Sequence, residues 1–181
     1  ITNDVNGYVE FLNGSSAGGA TITNNGELSF NGTATAGTAT ISNAANSALS
    51  FFNASTAANA AITNSGFISF GQTYSTDTVT AGGATIVNNS GGELDFNGLS
   101  SAGNASIVTN GGGYTAFFDK SAGGQAAFLA NAGGVVDFSA TLGANGDGKI
   151  SAGSLAGAGT YYLGSNQLTV GGTDASATVT G

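Results

Sequence analysis

The chain has 181 residues, of which 40% are apolar and only 7% charged, with 32 glycines and no proline, cysteine, methionine, tryptophan or histidine. Two lysines against ten acidic residues leave a net charge of −8, which excludes phosphate binding by clustered cations and polybasic docking on anionic lipid. The supply of Phe and Ile at so low a charge excludes a disordered chain, and no apolar run approaches the roughly 20 residues of a membrane-spanning helix.

Taken in chain order, the elements are a two-strand unit repeated seven times. The first strand of each unit centres on Ile1, Ile22, Ile41, Ile62, Ile86, Ile107 and Phe128, in steps of 21, 19, 21, 24, 21 and 21. Its pattern is Ala-x-Ile, as at Ala20 and Ile22 or Ala39 and Ile41. The second strand ends on Phe11, Phe30, Phe51, Phe70, Phe96, Phe117 and Phe138, with the pattern Leu-x-Phe or a relative such as Val9 and Phe11. Period-two alternation puts both apolar members of each pair on one face. Asn-Asn-Gly, Asn-Ser-Gly and Ser-Gly-Gly between the strands tolerate a left-handed backbone and make corners.

A unit of this size cannot close its own core, so units must stack, Ile on Ile and Phe on Phe, at roughly 4.8 Å per rung. The expectation is an all-β fold, a right-handed parallel β-helix (β-solenoid) with rungs of about 21 residues; the hand follows from parallel crossovers. Residues 1–181 read as one such domain, with less regular rungs over 139–181. The chain starts inside a repeat at Ile1 without a signal-peptide pattern, so the expectation is a fragment of a longer protein. Asn3, Asn24, Asn43, Asn64 and Asn88 form a column two residues after the Ile anchor, read as a stacked amide ladder, with a register change at Asn110 and Asn131.

The run from Gly18 to Gly32 resembles the passenger repeats of bacterial autotransporters, and the run 153–172 is similar to the segment leading into the autotransporter-associated β-strand repeat. Large exoproteins of two-partner secretion share this look. The resemblance implies a β-helix exported to the cell surface or beyond, with no direct membrane insertion of this segment. The expected function is a non-catalytic structural and adhesive scaffold with a host-surface or glycan ligand. The alternative is an extracellular filament subunit that self-associates through solenoid ends or faces.

Candidate sites are few. The spacing from Phe70 to Ile86 is 16 residues where the other rungs have 11, so five extra residues leave the rod as a loop tipped by Gln72–Asp77. Loops on rigid scaffolds carry function, which makes Tyr74 and Asp77 the candidate contact loop. Phe52 and Phe118 follow inward aromatics and are expected as exposed aromatics. Glu93 and Asp95 share an outward face, with Glu10 and Asp137 at the repeat position of Asp95. A polysaccharide-active enzyme needs such paired acids, yet no Arg or His assists them, and they read as solvated acids. No catalytic, cofactor or metal residues are assigned. Asn145-Gly-Asp147-Gly-Lys149 lacks most ligands of a calcium loop and reads as a turn. The outward Thr21, Thr23, Thr40 and Ser42 would suit an ice-binding solenoid, but the array decays after two rungs.

Overall fold

The computed structural model describes residues 1–171. Residues 172–181, the last ten of the segment expected to be less regular and the end of the run 153–172, lie outside the described residues. No helix occurs among the described residues, and the chain is a parallel β-solenoid of about eight turns.

Each rung contributes one strand to each of two sheets. The first rungs hold β1 (Thr2–Asn3), β2 (Tyr8–Phe11), β3 (Thr21–Asn24), β4 (Glu27–Phe30), β5 (Thr40–Asn43) and β6 (Ala48–Phe51). The middle rungs hold β7 (Ala61–Asn64), β8 (Phe67–Phe70), β9 (Thr85–Asn88), β10 (Glu93–Phe96), β11 (Ser106–Thr109) and β12 (Tyr114–Asp119). The last hold β13 (Ala127–Ala130), β14 (Val135–Thr141), β15 (Lys149–Ala152), β16 (Ser154–Ala156), β17 (Thr160–Tyr162) and β18 (Gln167–Val170). The first sheet runs β1-β3-β5-β7-β9-β11-β13-β16 and the second runs from β2 through β4, β6, β8, β10, β12 and β14 to β17. Strands β15 and β18 form a separate pair beside the last rungs.

Register follows the repeat. Ile22, Ile41, Ile62, Ile86, Ile107 and Phe128 pair in line across the first sheet. The Phe rings of the second sheet form one column from Phe11 to Phe138, with centroids 4.6 to 4.9 Å apart. That distance is the strand spacing itself, so the backbone ladder sets the ring stacking. Phe128 meets Phe117 and Phe138 edge-on at 5.8 and 5.5 Å, filling the core where Ile stood in earlier rungs.

A third wall, absent from the two-strand reading, closes the cross-section. Ser16, Thr35, Thr56, Thr80, Ser101 and Ala122 are linked by single parallel bridges. In each of the first five the hydroxyl accepts from the backbone N–H two residues on, as from Gly37 to Thr35 Oγ1 at 3.0 Å. The alanines that follow, such as Ala36, Ala57, Ala81 and Ala102, are buried, because this wall lies close to the core and admits only a methyl group.

The asparagine column is a buried amide ladder from Asn3 to Asn88, each Nδ2 donating to the next Oδ1 at 2.7 to 2.8 Å. The expected register change is corrected: the strands stay in line, Asn88 pairing Thr109 and Thr109 pairing Ala130. Asn110 and Asn131 instead join a second, outer ladder that begins at Asn89. The inner ladder ends because Thr109 and Thr115 replace its Asn and the neighbouring Leu and bond each other at 2.8 Å.

Candidate binding groove

Outward positions of the second sheet form two columns by alternation. One holds Tyr8, Glu27, Ala48, Phe67, Glu93, Tyr114 and Val135, and the other Glu10, Ser29, Ser50, Ser69, Asp95, Ala116 and Asp137. Over the first five rungs the small residues Ala48, Ser29, Ser50 and Ser69 lie between larger side chains. The result is a shallow groove of three adjoining hollows of about 320, 340 and 340 Å³.

Phe52 lies at the junction and borders all three hollows, with Phe67 and Tyr8 each bordering two. Tyr8 is 59% exposed and Phe67 36%. Amides from Asn31, Asn53 and Gln72 form the rim, with the buried Asn97 below. Several of these are held in place: Asn31 donates to Glu10 Oε1 at 3.3 Å, Asn53 donates to Asn31, and Asn97 donates to Ser69 Oγ at 3.2 Å.

The inserted loop divides the expected contact residues. Asp77 turns back and borders the groove beside Tyr8 and Phe52. Tyr74 points away, 90% exposed, with its backbone N–H donating to Asp119 Oδ2 at 2.8 Å. It borders a separate apolar hollow of about 270 Å³ with Leu99, Leu142 and Lys120. Phe52 and Phe118, expected as exposed aromatics, are half-buried, Phe52 lying beside the rings of Tyr8 and Phe67. Phe118 does not border the groove.

The carboxylates occupy contrasting environments. Burial first, and the adjacent Glu93 second, push Asp95 up to about 7. Its Oδ1 is buried without a hydrogen-bond partner. For Asp137 burial alone would raise the carboxyl, but hydrogen bonds from Ser139 and the Tyr114 hydroxyl, the latter at 2.6 Å, outweigh it and hold it low. Asp95 borders the groove whereas Asp137 does not. The expectation that these acids are all simply solvated is therefore corrected for Asp95. Neither lysine joins them: Lys149 pairs with Asp147 at 3.5 Å in a turn at Gly146 and Gly148, and Lys120 borders the Tyr74 hollow.

Tyr8 and Phe67 escaped the sequence reading, which followed only the inward Val9 and Ile68. The signal was present, since each immediately precedes an inward residue and so must face out. The groove offers stacking surfaces, neutral hydrogen-bonding groups and negative charge, and neither lysine borders it. No family model matches the chain, and no curated protein or solved structure was found to be similar to it.

Proposed function

We propose that this chain is a non-catalytic extracellular scaffold, a passenger segment of autotransporter type that holds adhesive faces away from a bacterial surface. The supporting observation is the unbroken stacking of Phe11 through Phe138 alongside the buried Asn ladder. Seven strand spacings give a rod about 34 Å long. Its inward residues are committed to the stack, and its outer faces are Ser-, Thr- and Asn-rich strands suited to display.

Antiserum raised against the purified chain tests this reading on intact cells of the source organism. The expected result is labelling without permeabilisation, removal of the epitope by external protease, and weaker attachment to surfaces when the segment is deleted. Labelling confined to permeabilised cells would overturn it. Fibres one rod wide in electron micrographs of the purified chain would favour the filament subunit instead.

A further inference from the structure

We propose that the outer groove of the second sheet binds an uncharged polysaccharide, with sugar rings lying on Tyr8, Phe52 and Phe67 and sugar hydroxyls meeting the polar groups between them. This deepens the adhesive-scaffold reading by naming a ligand class and a face.

Tyr8 and Phe67 stand in one outward column, separated by Glu27 and Ala48, hence three strand spacings or about 14 Å apart. Both are exposed on a rigid sheet, and Phe52 fills the space beside them. An aromatic face presents an apolar, quadrupolar surface that complements the C–H face of a pyranose ring. Rings held a few rungs apart along a linear groove suit a linear, repeating ligand.

The floor carries a second, independent mark. Ser29 is only 5% exposed, lies on the outward face, and its Oγ makes no well-formed hydrogen bond, interacting weakly with the Tyr8 hydroxyl. Asp95 Oδ1 is likewise buried and unpaired at the other end of the floor. Buried polar atoms are normally satisfied, and a sugar hydroxyl, being both donor and acceptor, can satisfy either one once the side chains covering it shift aside.

Charge narrows the ligand. Glu10, Glu27, Asp77 and Asp95 border the groove and no lysine does. Polyanions are therefore repelled, whether nucleic acid, uronic-acid polymer or anionic lipid. A protein partner would leave the rim amides of Asn31, Asn53 and Gln72 to be matched one by one. A neutral polyol matches them with its own hydroxyls.

Native gel electrophoresis of the full chain through gels containing yeast mannan, mixed-linkage β-glucan or galactomannan, with alginate as the polyanion, tests this. Retardation is expected in at least one neutral gel and not in alginate. The Tyr8→Ala/Phe67→Ala variant should lose at least tenfold in apparent affinity, while Thr21→Ala/Thr40→Ala on the opposite sheet should retain it. No retardation in any neutral gel, undiminished retardation of the groove variant, or equal retardation in alginate would each overturn the proposal. Saturation-transfer NMR on the unmodified chain avoids dependence on the variants' folding: irradiated aromatic protons should mark the sugar, and absence of transfer would sink the idea. A chain labelled on intact cells yet inert in these assays would retain the scaffold reading and lose only this groove.

Discussion

An amide side chain brings two donors and an acceptor oxygen, and Asn64 uses them on several fronts. Its Nδ2 donates to Asn88 Oδ1, to Glu93 O and to Gly66 O, and its Oδ1 accepts from Asn43 and from the Gly66 N–H. The ladder thus pins the corner between the two sheets in every rung it crosses. Asp95 shows the opposite case, a polar group placed where its charge is disfavoured. Its folded carboxyl titrates near 7 against 3.8 in the unfolded chain. Between those values the folded state holds a proton that the unfolded state has released, so stability falls as pH rises from about 4 to about 7. Asp95→Asn removes that loss. The variant is expected to exceed the parent by about 1–2 kcal/mol at pH 8, a figure discounted for partial solvent screening, and to match it near pH 4. Urea unfolding at pH 4, 6 and 8 measures this, and parallel pH profiles for the two proteins would contradict it. The sequence alone suggests that Asp95→Asn changes little, because alternation reveals which way a side chain points but not how deeply its neighbours cover it.

Strands of four residues are stable here only because their corners are tight. At the corner entering β8, a Cβ on Gly66 would lie 2.3 Å from Ala44 O and 2.5 Å from Ser47 O, both backbone atoms of the preceding rung. Ala44 O is held by the Ser47 N–H and hydroxyl and Ser47 O by the Phe67 N–H, so neither carbonyl moves aside freely. Gly66→Ala should therefore destabilise by about 1–3 kcal/mol, the range for overpacking. Gly91→Ala, where φ is +77° and no atom lies within 4 Å, carries only the left-handed backbone penalty of about 1 kcal/mol. Thermal melts of the two variants provide the comparison, and equal losses would mean the corner does not clash. Both strands of each rung were legible from Ala-x-Ile and Leu-x-Phe. The third wall was not: a one-residue bridge has no alternation, and its Ser/Thr-Ala-Gly signature reads as an ordinary turn. The inserted loop was legible as an insertion, yet its path was not, so Asp77 and Tyr74 were grouped although they serve different hollows.

Across the whole molecule, stability in a stacked array is a sum of rung and interface terms. Phe96 is fully buried and stacks on both Phe70 and Phe117, whereas Phe11 is half-buried and stacks only on Phe30. Phe96→Ala is expected to cost about 3–5 kcal/mol, as for large core truncations, and Phe11→Ala distinctly less. Equilibrium urea unfolding of both variants tests the single-column architecture, and equal costs would argue against it. The candidate groove exists only at this scale, because Tyr8, Phe52 and Phe67 come from three different rungs.

What the sequence by itself determined was the winding. Apolar residues at constant offsets can be buried only against their own equivalents one turn away, and that constraint fixes the sheets, the Phe column and the inner Asn ladder. What the tertiary structure alone decided was the outer surface: which side chains from rungs about 21 residues apart border one hollow, how far Asp95 is covered, and which way the inserted loop turns. Surface neighbours share no period along the chain, since no buried contact forces them into one, and so their meeting is settled only once the rungs are stacked.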